Sequence, residues 1–155
     1  MQESLNKIIA MFKSFRIDPR LILAYTAQNC IGQKLSILAG NELGCMESVD
    51  RIFFKTFGCF IDGNKIKPEV STIKGLYQLQ NNDKFRQVKN PSMGTIIISP
   101  TVGKNIGHIG LVTSNNLIIS NNSFNGRLDT KYTIDSWKEY YKDTKGLNVY
   151  YFDMI

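Results

Sequence analysis

The chain has 155 residues, of which 43% are hydrophobic and 21% charged, and its 19 basic and 13 acidic side chains give a net charge of +6. This length is typical of one domain that buries a core without help from a metal or a disulfide. No apolar run approaches the roughly 20 residues of a membrane-spanning helix, so no membrane span is expected. The composition predicts a single soluble domain over 1–155.

The positive charge favours an anionic partner. The basic residues are scattered along the sequence, whereas a nucleic-acid-binding domain usually concentrates them on one stripe. We therefore expect no nucleic-acid partner. Anionic lipid and acidic cell-wall polymers remain as partners that the charge favours, and the alternative is a solvated surface that keeps the protein soluble.

The sequence predicts an amphipathic N-terminal helix over residues 1–18 and the core of the domain over residues 19–155. Apolar residues recur at helical spacing with charged residues between them. They are Leu5, Ile8, Ile9, Phe12 and Phe15. A signal peptide needs an unbroken apolar segment and a cleavage site, so this segment is not one. We expect a protein made in the cytoplasm.

Three further helices are predicted in the first half of the chain. Asp18 and Pro19 end the first helix and begin the second, because proline suits a first helical turn. The third helix is predicted at about 42–57, with Asn41 as its N-cap. The fourth is predicted near 71–80.

The pattern then changes to short β-branched runs that predict strands. These strands lie at 95–99, 108–113, 116–120 and 149–152, with a further helix near 134–142. Because helices come first and strands second, the sequence predicts an α+β fold in which N-terminal helices pack on a small antiparallel sheet.

The chain has three cysteines, Cys30, Cys45 and Cys59, and an odd count in a chain without a signal peptide argues against a disulfide framework. With no CxxC pair and one histidine, a structural zinc site would need an unusual ligand set. Cys30 and Cys59 lie among apolar residues, which indicates core positions. Cys45 lies near a predicted helix start, where the dipole and unpaired amides favour a thiolate, and Gly44 before it suggests an exposed side chain.

His108 is the only histidine and begins a predicted strand in the segment GHIGLV. Gly107 and Gly110 beside it leave room for a second backbone or a ligand to come close. The alternative is a half-buried histidine that is satisfied by a backbone carbonyl. Any histidine-assisted nucleophilic mechanism in this chain has to use His108.

The predicted hairpin supplies His108 with a partner. With Ser114 and Asn115 at the centre of the turn, Asn121 lies opposite His108, and a turn one residue longer brings Asn122 there instead. An amide oxygen that accepts from one imidazole nitrogen would orient the other as a general base. A Cys–His–Asn set is therefore possible.

Glycoside hydrolysis is a weaker alternative, because it needs two carboxylates at a defined separation. Glu42 and Glu47 lie near the candidate site, but their spacing places them on different helix faces. They are interpreted as first-turn, solvent-facing charges.

A helix-leading cysteine, a strand-leading GH(I/V)G and a polar residue on the next strand resemble the NlpC-type and CHAP-type papain-like cysteine hydrolases. PSMGTIIISP resembles the strand that precedes the histidine strand in those families. IISNNSFNG and TIDSW resemble segments of phage endolysin-like members. The resemblance covers about 30–155.

The resemblance implies a papain-like core in which a cysteine on a helix faces a histidine on a sheet. It implies hydrolysis of an amide bond in peptidoglycan, as an endopeptidase or an N-acetylmuramoyl-L-alanine amidase, without a cofactor. By position, Cys45 would be the nucleophile, His108 the base and Asn121 the third member.

Two other functions stay open: a papain-like toxin or deamidase that acts on a protein, and a catalytically silent wall-binding module. A wall hydrolase without a signal peptide would reach its substrate after phage lysis-related release or by dedicated delivery. The sequence leaves the oligomeric state open.

Overall fold

The computed structural model describes residues 2–14 and 17–155, and it contains an antiparallel sheet with helices on both faces. The helices are α1 (Gln2–Ser14), α2 (Pro19–Asn29), α3 (Cys45–Phe57), α4 (Thr72–Gln80) and α5 (Ile134–Trp137). The strands are β1 (Phe85–Val88), β2 (Ile96–Ser99), β3 (His108–Val112), β4 (Leu117–Asn121), β5 (Leu128–Thr133) and β6 (Tyr150–Met154). The predicted α+β class is confirmed.

The six strands follow the order β1-β6-β2-β3-β4-β5, and each neighbouring pair is antiparallel. The sequence did not predict β1 and β5, which are the two edge strands. Edge strands carry polar and charged residues that protect them from further pairing, so they lack a continuous apolar pattern. In the part of the chain that the structure describes, no helix is long and apolar enough to cross a membrane.

The amphipathic N-terminal helix is confirmed over the described residues 2–14. Leu5 and Ile9 are buried in the same core cluster as Val49 of α3, and Ile8 packs against that cluster. Phe15 and the side chain of Phe12, which were part of the predicted pattern, lie outside what the structure describes.

The second and fourth helices lie where the sequence predicts them. Asp18 caps α2 by accepting a hydrogen bond from the Arg20 amide at 2.9 Å, and Pro19 is the first helical residue. Ser71 caps α4 in the same way, through the Lys74 amide.

The third helix begins at Cys45, three residues later than predicted, and its N-cap is Gly44 rather than Asn41. The reason is that residues 37–39 are held against the side chain of Glu47, in the first turn of α3. The chain therefore turns through 40–43 before the helix can start. This shift makes Cys45 the first residue of the helix.

The sheet separates two apolar cores, because alternate side chains of a strand face opposite sides. One core contains side chains of α1, α2 and α3 packed on Ile109 and Ile119. The other contains Trp137 and Tyr141 packed on Val112 and Ile118. Tyr141 belongs to a π-helical segment, Lys138–Thr144, that continues α5.

The β3–β4 turn is longer than predicted. Asn115 and Asn116 both adopt the left-handed conformation, which asparagine tolerates, and a 3-10 turn at Ser114–Asn116 precedes β4. Gly110 consequently pairs with Ser120, and the same register extended by two residues brings Asn122 opposite His108. The register that paired His108 with Asn121 is wrong by one residue.

Candidate active site

Cys45 lies at the N-terminus of α3 and its thiol faces β3. The backbone amides of Met46 and Ile109 are directed at the sulfur and lower its pKa, but burial dominates and raises the pKa to about 11. The side chain is 6% exposed. The expected exposed thiol is therefore wrong: Gly44 packs tightly against Ser36 and does not open the site.

The other two cysteines are buried and free, as the sequence predicts for core positions. Cys30 and Cys59 both belong to the core on the α3 side of the sheet. Burial raises the pKa of both thiols. Cys45 differs from them because it begins a helix and lies beside the histidine strand.

His108 is buried at the start of β3, among aromatic rings on the other side of the sheet. Its ring stacks at 5.1 Å from Trp137 and 5.6 Å from Tyr141, and the edge of Tyr132 lies at 6.0 Å. No hydrogen bond joins the ring to any residue among 2–14 and 17–155. Ring stacking therefore orients the imidazole.

The pKa of His108 falls to about 3, first because of burial and then because of the positive charges of Lys131 and Lys145. At neutral pH the imidazole is consequently neutral. Since burial also keeps the Cys45 thiol protonated, the resting site holds a neutral thiol and a neutral base.

The backbone of β3 is the link between Cys45 and His108, whose side chains lie on different sides of the sheet. The amide that faces the Cys45 sulfur belongs to Ile109, the residue after His108. Tyr141 stacks on His108, and the pKa of its hydroxyl is raised first by burial, then by Tyr132, and to a smaller extent by the negative charge of a Cys45 thiolate. In the described part of the chain, no hydrogen bond joins the Cys45 thiol to the His108 imidazole.

Asn121 forms its hydrogen bonds elsewhere than to His108, which corrects its predicted role as the orienting residue. Its Nδ2 donates to the Asn41 carbonyl oxygen at 2.8 Å, and its Oδ1 accepts from the Ser48 hydroxyl at 3.4 Å. Asn122, opposite His108 by register, donates instead to Asp129 Oδ2 at 2.8 Å. Asn121 ties the segment before the cysteine helix to β4.

Glu47 is fully buried, so its interpretation as a solvent-facing charge is wrong. Its carboxylate accepts from the amides of 37–39 at 2.7–2.9 Å and from Arg51 Nε at 2.9 Å. Burial alone would raise the pKa of Glu47, but these donors lower it further than burial raises it. Glu42 is exposed, so the two residues do not form a buried carboxylate pair.

Glu47→Gln is expected to lower the free energy of unfolding by about 3 kcal/mol. The substitution removes the buried negative charge that accepts hydrogen bonds from the three amides of 37–39 and from Arg51 Nε. The amides of 37–39 should also exchange faster with solvent, which hydrogen–deuterium exchange measures. Glu42→Gln is the matched control, since Glu42 is exposed. Equal effects of the two substitutions would contradict the role of Glu47 as an anchor.

A cleft of about 190 Å³ opens beside His108. It is lined by Glu42, Ile106, Gly107, His108, Ser120, Asn121, Asn122, Ser123, Asp129, Lys131, Tyr132, Tyr140, Tyr141 and Lys145. His108 and both asparagines singled out in the sequence thus border one cleft, but Cys45 does not line it. Among the described residues, no three His, Cys, Asp or Glu side chains group as metal ligands.

Sequence reasoning missed the aromatic residues around His108. Trp137 is fully buried and donates from Nε1 to the hydroxyl of Ser99 at 3.0 Å. Ser99 in turn pairs with His108 across β2 and β3. The available signal was a single tryptophan followed four residues later by Tyr141, which predicts two rings on one helix face.

The glycines beside His108 serve backbone packing. A side chain at Gly107 would collide with the Ser99 carbonyl, and one at Gly110 would collide with β4. Of the two expectations, room for a second backbone is therefore the one that the structure supports.

His108→Phe is expected to make stability less sensitive to acid. The folded pKa of His108, about 3, lies below its ordinary 6.5. The buried, neutral imidazole therefore contributes its full share of the free energy of unfolding above pH 6.5, and this share is lost as the pH falls toward 3, because protons bind to the unfolded chain first. Between about pH 6 and 4, the wild type should lose about 1.4 kcal/mol per pH unit more than the variant. Denaturant unfolding of both proteins tests this, and parallel curves would contradict it.

No protein-family model matches the sequence, and no curated protein matches it. The fold does match a solved structure. It resembles a chain of the type VI native effector–immunity complex Tae3–Tai3 from Ralstonia pickettii, with a TM-score of 0.55 and 16% identity. The match covers 88% of this chain and 98% of that one. At this identity the likeness is one of fold, and it supports the predicted papain-like core.

Proposed function

We propose that this protein is a cysteine hydrolase that cleaves an amide bond in bacterial peptidoglycan, as an endopeptidase or an amidase. The observation that carries the proposal is the position of Cys45 at a helix N-terminus, with its sulfur against the amide that follows His108. A thiol at the start of a helix, next to the strand that carries the histidine, supports assigning a nucleophile and a base for acyl transfer to these two residues.

In the proposed mechanism, His108 takes the proton of the Cys45 thiol as the sulfur attacks the scissile carbonyl carbon. The Cys45 amide, at the positive end of α3, stabilises the oxyanion. The carbon–nitrogen bond then breaks, and the leaving amine takes the proton from His108. Water, deprotonated by His108, releases the acyl group and regenerates the thiol.

In this mechanism the stacked rings of Trp137 and Tyr141 do the orienting that an asparagine was predicted to do. Asn121 acts on the site only indirectly. It donates a hydrogen bond to the carbonyl oxygen of Asn41, four residues before Cys45. Together with Glu47, it holds the segment that leads into the cysteine helix.

One observation supports peptidoglycan as the substrate, and a second bears on how the protein reaches it. The net charge of +6 favours association with an anionic wall. The fold resembles that of one chain of a type VI effector–immunity complex, and this likeness favours dedicated delivery over phage release as the route by which this protein reaches the wall.

The test is to incubate the purified protein with peptidoglycan sacculi and to identify the soluble fragments by mass spectrometry. We expect fragments with one new amine and one new carboxylate, which identify the bond. If the sacculi stay intact while protein glutamine or asparagine amides are hydrolysed, the protein is a deamidase. Binding to sacculi without any cleavage would support the silent module and contradict the proposal.

A further inference from the structure

Two cations border the cleft beside His108 without a carboxylate partner. Lys131 lies on β5 and Lys145 follows the π-helical segment, and both line the cleft. Neither forms a salt bridge within residues 2–14 and 17–155. Asp129, the nearest acidic residue along β5, instead accepts from Asn122 Nδ2 and from the Lys131 backbone amide.

Backbone and aromatic contacts hold the ammonium groups of both lysines at the cleft. Lys145 Nζ donates to the Ile106 carbonyl oxygen at 2.8 Å and lies 5.2 Å from the ring centre of Tyr140. Lys131 Nζ lies 5.3 Å from the ring centre of Tyr132. Since an ammonium has three donors, Lys145 keeps two for a ligand.

The two lysine charges make His108 harder to protonate, and a bound anion would reduce that effect. Both lysine charges act on His108 and disfavour the imidazolium that catalysis forms. A carboxylate bound beside them in the cleft would offset the effect of these charges on the imidazole. Two unpaired cations beside a catalytic base are therefore suited to an anionic substrate group.

We propose that Lys131 and Lys145 form a subsite for a substrate carboxylate next to the scissile amide. The inference rests on the proposed function and deepens it, because it names the chemical class that the site selects. Substrates with a free carboxylate at this position are cleaved well, and those in which it is amidated are cleaved poorly.

The test uses two synthetic stem peptides that differ only in a carboxylate or a carboxamide next to the cleaved bond. Wild-type kcat/KM should favour the carboxylate by about tenfold, as expected for a charged hydrogen bond. Lys131→Gln and Lys145→Gln should each remove most of this preference, and Lys145→Arg should keep it. Lys142→Gln is the matched control, because Lys142 is an exposed lysine on the same segment and outside the cleft.

Binding to the Cys45→Ala variant separates this proposal from the proposed function. A carboxylate preference in binding, lost in Lys131→Gln, supports the subsite even if no bond is cleaved. Hydrolysis of both peptides at equal rates would overturn the subsite and leave the hydrolase intact. Absence of binding and hydrolysis with both peptides would overturn both.

Discussion

Cys45→Ala is expected to abolish amide hydrolysis, with kcat/KM lower by a factor on the order of 10⁴ or more. The sulfur is the only group in the proposed mechanism that forms a covalent bond to the substrate. The fold should survive, because removing a small buried side chain costs about 1 kcal/mol. Fragment release from sacculi measures the first effect, and thermal unfolding measures the second.

Cys30→Ala is the matched control, because Cys30 is also a free, buried cysteine but is the C-cap of α2 and has no part in the proposed mechanism. It should retain full activity at a similar cost in stability. An active Cys45→Ala protein would refute the mechanism. Equal losses of activity in Cys45→Ala and Cys30→Ala would mean that removing either cysteine lowers activity by disturbing the packing of the core.

Trp137→Ala is expected to have the largest effect on stability. The side chain is fully buried and packs in the core opposite α3. Removing a buried tryptophan costs about 3–5 kcal/mol. Activity should fall as well, because the ring that stacks on His108 at 5.1 Å is lost and no hydrogen bond replaces it.

Trp137→Phe separates orientation from packing. Phenylalanine keeps a ring beside His108 but loses the donor to Ser99, which leaves a buried hydroxyl unsatisfied at a cost of about 1–3 kcal/mol. We expect it to retain most of the activity despite lower stability. If activity instead follows stability through both variants, the ring has no separate role in orienting His108.

The sequence predicted much of the fold because much of it is local. The apolar spacing in residues 2–14, the Asp18–Pro19 helix start and the strands around 95–99 and 108–113 depend on neighbours in the chain. The edge strands β1 and β5 escaped prediction because their polar pattern is selected by their place in the sheet.

For the site, the residue types alone singled out Cys45 and His108: one histidine before a strand, and one cysteine at a helix start. The role of Asn121 depended on a hairpin register, and two asparagines in the left-handed conformation lengthened that turn by one residue. A change of one residue exchanges the faces of a strand, so Asn121 contacts Asn41 and Ser48 instead of His108.

The sequence by itself determined the α+β class and the two residues that carry the proposed chemistry. Only the tertiary structure decided what surrounds them. Glu47 is a buried anchor because the amides eight to ten residues earlier donate hydrogen bonds to its carboxylate. The rings that hold His108 and the lysines beside it come from segments more than twenty residues away in the chain. Contacts of that range leave no local pattern, because they depend on how the whole sheet is paired.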